Sequence, residues 1–273
     1  MAASRIIGWG TRRGGLAART RTRCENAGVN ALRRLGWRTR FLAAAVVLAA
    51  STLAPPAASA APARGSISYD VYRPGVYSMQ ATWTWCTAAS VQIMRNILLD
   101  QSVHSSAQQG AFFDYMQASN RDQLGGHRGI DPQGFLAGLR HFVDSRYTLV
   151  ASATYDEAVR SAVTRLRLTG EPVALIVAAG RHAWVLTGFS ATADPGRTSD
   201  FRVTSVRVVG PLYGRQSIGG YDARPDTSLS YAAFRQFLLP YRFHFATTPW
   251  TGSYLTFQAI AAQLAAVRRA LPV

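Results

Sequence analysis

Apolar positions in the first half of the chain recur every three or four residues, which is the period of a helix with one buried face. In the first such segment the buried face is formed by Ala89, Ile93 and Ile97, with polar residues between them. The spacing predicts four helices, over residues 86–99, 105–118, 131–143 and 155–168. Asp131 and Pro132 suit the start of the third helix, and Gly170 suits the end of the fourth.

The pattern changes after Pro172, where apolar runs rich in β-branched residues replace the helical spacing. These runs predict three strands of an antiparallel meander, over 172–178, 183–189 and 201–209. Beyond a long loop at 210–226, three shorter elements are predicted: a helix at 230–239, a strand at 242–246 and a terminal helix at 253–271. A helical first half followed by a mainly antiparallel second half predicts the α+β class.

The N-terminal segment has the order of features found in secretory signal peptides. An Arg-rich stretch ends at Arg40, an apolar run occupies 41–54, and Ala58-Ser59-Ala60 provides an A-x-A cleavage site. The apolar run has 14 residues, whereas a membrane-spanning helix needs ~20. We therefore expect residues 1–60 to be a signal peptide with a long Arg-rich region. Residues 61–273 would be a secreted, extracellular domain without stable membrane insertion.

The basic charge is concentrated in that segment. Residues 1–60 contain ten Arg and one acid, for a charge of +9. The rest of the chain contributes +7 of the total +16. Every basic residue is Arg, which coding bias explains more simply than selection for phosphate contacts. Nucleic-acid binding is therefore not predicted.

The mature chain keeps one cysteine, Cys86, because Cys24 lies in the predicted signal. A lone thiol in an oxidising compartment is an intermolecular bridge, an inert buried group or a reactive group. A position at the start of a helix favours the thiolate, because unpaired N–H groups and the helix dipole face it. The small residues Thr87, Ala88 and Ala89 would let a substrate approach. The Cys86 N–H and the Gln80 amide are candidate donors to an oxyanion.

The spacing of Gln80 and Cys86, Gln-x5-Cys at the head of a helix of small residues, resembles the nucleophile motif of papain-like cysteine peptidases. The sequence from Trp85 to Ser90 resembles the secreted bacterial branch related to bacteriocin-leader (double-glycine) peptidases. The resemblance implies a papain-like fold, with Cys86 as nucleophile and Gln80 as oxyanion donor. Thr87 is a departure, since the family usually has Trp directly after the Cys.

A second segment, 172–189, resembles the same family: a strand, a tight turn, and His182-Ala183 opening the next strand. The implied general base is His182, and the resemblance covers about residues 75–215. The family usually has Asp or Asn just after the following strand, but Gly210 stands there. The His182 ring would then be oriented by another group: a backbone carbonyl at 209–211, a water, Tyr213, Gln216 or Asp222.

These residues predict a secreted cysteine peptidase or thiol amidohydrolase that acts on a peptide or protein through an acyl-thioester. One alternative is a thiol endopeptidase or amidase directed at peptidoglycan. Another is a catalytically inactive relative that binds peptides or wall polymer, which Gly210 favours. The remaining histidines lack the spacing of a zinc site, and neither a metal nor an organic cofactor is predicted.

Overall fold

An antiparallel sheet of seven strands organises the computed structural model, which describes residues 65–121, 129–215, 222, 224–242 and 248–261. The strands are β1 (Ile67–Asp70), β2 (Tyr147–Ser152), β3 (Val173–Val177), β4 (His182–Ala191), β5 (Val203–Val209), β6 (Thr227–Ser230) and β7 (Tyr254–Ala259). Their spatial order is β2-β7-β3-β4-β5-β6, and β1 pairs with the far half of β4. All of these residues belong to one compact unit, Ala57–Val273.

Five helices cover the two faces of this sheet in the described ranges. They are α1 (Cys86–Leu98), α2 (Ser106–Ala118), α3 (Pro132–Phe142), α4 (Tyr155–Thr169) and the short α5 (Tyr231–Phe234). Helices α1, α2 and α3 share one apolar core with Ala174 and Ile176 of β3, while α4 and α5 share another with Val173, Leu175 and Val177. Successive strand residues thus point to opposite cores, so β3 is buried on both faces.

Local capping explains where two of the helices begin and end. The Asp131 carboxylate accepts from Gly134 N at 2.6 Å, and Pro132 occupies the first turn of α3. Thr154 and Glu157 form a reciprocal capping box at the start of α4, and Gly170 ends that helix in the left-handed conformation. These caps confirm the predicted boundaries of both helices.

The α+β class is confirmed, as are the four long helices and the β3-β4-β5 meander. The predicted terminal helix at 253–271 is wrong over its first part, because Tyr254–Ala259 forms β7, between β2 and β3. Strands β1, β2 and β6 were not predicted. The predicted signal segment, 1–60, lies outside the described residues, as does most of the predicted 242–246 strand.

No helix in the described ranges is both long and apolar enough to cross a bilayer.

Candidate active site

Cys86 is the first residue of α1, as the sequence predicted. Its thiol is free and half-buried, and no acidic residue occupies the first turn of the helix. The preceding Trp85 fixes this helix start against α2 by stacking on Phe113, with ring centroids 5.6 Å apart. Gly110 leaves room for the indole, since a Cβ there would lie 3.1 Å from it. The sulfur therefore sits at a rigid helix N-terminus.

His182 is the first residue of β4, opposite Val177 of β3. The turn between these strands places Ala178 and Ala179 at positive φ, 52° and 57°. That strained turn is held in place by Ala178 N, which donates to the Phe237 carbonyl at 2.9 Å, and by Arg242 N, which donates to the Ala179 carbonyl at 3.1 Å. Because these two bonds hold the turn before β4, the backbone that carries the His182 side chain has a fixed position.

The fold brings Cys86 and His182 together, although they are about 96 positions apart in the sequence. The thiol lies close enough to the ring to contribute to the pKa of His182. The His182 side chain is 10% exposed. Its Nε2 faces a carboxylate, so Nδ1 is the ring nitrogen that remains for exchange of a proton.

That carboxylate belongs to Asp222, which is buried and fully enclosed. His182 Nε2 lies 3.0 Å from Oδ2 and 3.2 Å from Oδ1. The Trp184 indole N–H donates to Oδ1 at 2.5 Å, and Leu212 N donates to Oδ2 at 2.5 Å. Donors from one strand, β4, and from the loop after β5 thus hold the carboxylate in place beside the imidazole.

The expectation that the orienting group follows β5 directly is wrong, because Asp222 lies 12 positions after Gly210. Gly210 has a steric explanation instead. A Cβ at this residue would lie 2.3 Å from Cγ of Asp222 and 2.5 Å from its Oδ1. A side chain at 210 would collide with the carboxylate, so the glycine provides the space that Asp222 fills.

The protonation of His182 follows from these contacts. Burial by itself lowers the pKa of the ring, but the hydrogen bonds to Asp222 and Cys86 outweigh it and raise the pKa to about 10. The imidazolium is therefore the stable form at neutral pH.

Gln80 is completely buried beside the loop that leads into α1. Its Nε2 donates to the Thr82 carbonyl at 2.8 Å, and its Oε1 has no partner among the described residues. An amide nitrogen carries two hydrogens, so one remains for a further acceptor. The backbone of Gln80 is tied to the loop after β5, since its N–H donates to the Pro211 carbonyl and its carbonyl accepts from Arg215.

Gln109 of α2 holds the loop that contains Gln80. Its Nε2 donates to the Met79 carbonyl at 2.9 Å, and its Oε1 accepts from Ala81 N at 2.9 Å. The two bonds hold the backbone of the residues on either side of Gln80 in place. Gln109 Nε2 also bonds Ser78 and Gln92, so the loop rests on a buried polar network.

A cavity of about 220 Å³ opens beside the His182 ring. Apolar and aromatic side chains form most of its wall, and Arg181 and the His182 ring are its charged members. The lining residues are Trp83, Val177, Ala178, Arg181, His182, Trp184, Leu212 and Phe237. The cavity is therefore an apolar pocket next to the candidate base.

Sequence reasoning named Cys86, His182 and Gln80, and gave Asp222 only as one of several candidates. Trp184 was missed as a partner of the carboxylate. Its signal was its position, two residues after His182 on a strand, where side chains share one face. Within the described ranges, no group of three His, Cys, Asp or Glu side chains is arranged to hold a metal ion.

Comparisons of the chain with protein-family models, with curated proteins and with solved structures found no match.

Proposed function

We propose that this protein is a thiol hydrolase of the papain-like type, with Cys86, His182 and Asp222 as its catalytic triad. The observation that carries the proposal is the position of His182, whose Nε2 lies against the buried Asp222 carboxylate and whose ring is near enough to Cys86 for the thiol to affect its pKa. A nucleophile, its base and a group that orients the base are the elements that acyl transfer requires.

In the first half of the reaction, the Cys86 thiolate attacks the carbonyl carbon of an amide and forms a C–S bond. The carbonyl oxygen becomes an oxyanion, for which the Cys86 N–H and the Gln80 amide are the candidate donors. The His182 imidazolium then gives its proton to the amide nitrogen. The C–N bond breaks, the amine leaves, and an acyl-thioester on Cys86 remains.

In the second half, His182 is neutral and accepts a proton from water. The hydroxide formed attacks the thioester carbonyl, and the resulting tetrahedral species expels the Cys86 thiolate. The products are a carboxylic acid and the original thiolate–imidazolium pair. Throughout, Asp222 holds the ring so that Nδ1 faces the sulfur, and it stabilises the charged imidazolium. Neither half of the reaction changes an oxidation state, so no oxidant or reductant is needed.

The substrate class proposed is a peptide or protein amide. An alternative with the same chemistry is the peptide part of peptidoglycan, which a secreted enzyme would meet outside the cell. The binding-only alternative rested on the absence of a side chain at Gly210. Because Asp222 bonds His182 from the next loop, that argument no longer favours an inactive protein.

The reactivity of the thiol is the first test. Iodoacetamide at pH 6 should label Cys86 within minutes in the folded protein, and His182→Ala should slow the labelling at least tenfold by removing the imidazolium. His104→Ala is a matched control, because this exposed histidine lies beyond the other end of α1. Labelling that requires denaturant would mean that Cys86 is a structural thiol.

Turnover is measured separately, on a peptide mixture and on purified peptidoglycan, with products identified by mass spectrometry. Cys86→Ala should abolish hydrolysis. A reactive Cys86 with no hydrolysis of either substrate by the wild type would favour the binding-only alternative. Preference between the two substrates decides between the peptidase and the wall-directed enzyme.

A further inference from the structure

The apolar pocket beside His182 has a defined place relative to the proposed reaction. It is lined by His182 and contains neither Cys86 nor any other residue of α1. His182 delivers its proton to the departing amine. A pocket that touches the base but not the nucleophile therefore lies on the side where the amine half of the substrate binds.

The walls of the pocket are suited to an apolar side chain. The Trp184 and Phe237 rings contact each other, with centroids 4.8 Å apart, and form one aromatic wall. Trp83 stands at its mouth and is 47% exposed. The volume of about 220 Å³ is smaller than the ~300–1,000 Å³ of pockets that enclose drug-sized ligands. The pocket thus fits a single aliphatic or aromatic side chain.

The rim of the pocket is positively charged. Arg181 is exposed, and its Nε donates to the Ala178 carbonyl at 3.1 Å, which fixes the guanidinium at the rim. The Arg215 guanidinium lies 4.8 Å from the Trp83 ring centroid on the same side. Neither arginine forms an ion pair within the described part of the chain. Arg215 Nη1 donates to the Gln80 carbonyl at 2.6 Å. The terminal nitrogens of Arg181 and the second terminal nitrogen of Arg215 are thus available to a carboxylate.

We infer that the amine half of the substrate begins with an apolar residue, held in this pocket, and presents a carboxylate to Arg181 directly beyond it. This inference rests on the proposed hydrolase function and specifies its substrate class. The carboxylate has two possible sources, the side chain of a following Asp or Glu and the chain terminus of the apolar residue itself. Both present the same chemistry to a guanidinium.

Hydrolysis of matched peptides tests the inference and separates the two sources. The series is acetyl-Gly-Leu-Asp-amide, the same peptide with Lys for Asp, the same with Ala for Leu, and acetyl-Gly-Leu as free acid and as amide. Leu should exceed Ala in kcat/KM by at least about tenfold, and each carboxylate form should exceed its uncharged or basic partner by roughly fivefold. The larger of the two carboxylate effects identifies the source.

Arg181→Glu should remove or reverse the preference for the carboxylate without changing the preference for Leu over Ala. Arg202→Glu is the matched control. This exposed arginine immediately precedes β5, at the opposite end of the β4–β5 pair from Arg181. The length of β4 puts the two arginines about 30 Å apart, at ~3.3 Å per strand residue. Phe237→Ala should widen the pocket and shift the preference toward larger side chains such as Trp. Absence of either preference in the wild type, or persistence of the carboxylate preference in Arg181→Glu, would overturn the inference.

A binding measurement keeps this test independent of catalysis. Calorimetric titration of Cys86→Ala protein with Leu-Asp-amide, Leu-Lys-amide and Ala-Asp-amide reports on the pocket alone. Selective binding of Leu-Asp-amide without hydrolysis by the wild type would support the pocket and refute the hydrolase. Hydrolysis without selectivity in either measurement would support the hydrolase and refute the pocket assignment.

Discussion

At the scale of single residues, Asp222 determines the charge that His182 carries. It bonds Nε2, and its interaction with the ring, together with that of Cys86, raises the pKa of an imidazole whose burial would otherwise lower it. The proposed enzyme therefore starts its cycle with the proton already on the base. In such a pair the carboxylate maintains the ion pair as well as the orientation of the ring.

Asp222→Asn should move the alkaline limit of activity to lower pH. The wild-type limb of kcat/KM is expected near pH 10, because deprotonation of His182, with a pKa of about 10, destroys the ion pair. The amide removes a cause that raises this pKa, so the limb shifts toward neutrality. Rates on a good peptide between pH 6 and 11 measure the shift.

Asp200→Asn, at an exposed position in the loop between β4 and β5, is the control and should leave the pH profile unchanged. Stability offers a second readout. A folded pKa above the unfolded value of ~6.5 means that His182 contributes stability fully below about pH 6.5, and that this contribution is lost as pH rises toward 10. A wild-type kcat/KM profile that already falls at neutral pH would contradict this account.

The reason for a glycine at residue 210 became evident only in the structure. The resemblance called for a side chain at that residue, and its absence was taken as a missing orienter. The structure shows that the space is filled from another part of the chain, 12 positions further on. No local pattern specifies that approach, because the path of a long loop depends on tertiary contacts such as those of Trp184 and Leu212.

At the scale of elements, the segment before α1 is positioned by α2. Gln109 bonds the backbone of Met79 and Ala81, and so determines where the intervening Gln80 lies. The sequence predicted α2 as a helix. In the structure Gln109 is buried on the same helix as Phe112, Phe113 and Met116. Such a pattern predicts burial of an amide and cannot identify its partners, which come from a loop about 30 positions earlier.

Gln109→Ala should lower kcat about tenfold with little change in KM. Both bonds are lost, at roughly 1 kcal/mol each, and the candidate oxyanion donor is no longer held in one position. Gln117→Ala, an exposed residue of the same helix, is the matched control. Gln109→Glu, which retains the acceptor for Ala81 N, should recover part of the rate. Equal losses in the control would show a general effect on α2.

The strands divide into predictable and unpredictable ones for a physical reason. The β3-β4-β5 meander follows from apolar runs separated by a short turn after β3 and a polar loop at 192–202 after β4, which are local signals. In β7, Leu255 and Phe257 alternate with Thr256 and Gln258, and all four are buried. The Gln258 amide donates to Thr256 Oγ1 at 2.7 Å, so the polar pair is satisfied internally. The Ala-rich sequence that follows gave a helical period that masked this strand.

At the scale of the whole molecule, export stays a prediction of the sequence. The basic stretch, the apolar run and the A-x-A site predict cleavage after Ala60. The secreted protein should therefore begin near Ala61, and N-terminal sequencing of material from the culture medium measures this. Ala60→Arg should block processing, whereas Ala57→Arg, outside the A-x-A positions, should reduce it less. Retention of residues 1–60 in a membrane fraction would contradict the assignment.

The central position of β7 has a consequence for the order in which the domain can be completed. This strand pairs with β2 on one side and β3 on the other, and Phe257 packs on Phe135 of α3 with ring centroids 4.7 Å apart. A nascent chain is made from its N-terminus, so Cys86, His182 and Asp222 all emerge before residues 254–259. Until then β2 has no partner, and the two parts of the sheet are not joined. The two parts of the sheet can therefore be joined only after residues 254–259 have been synthesised.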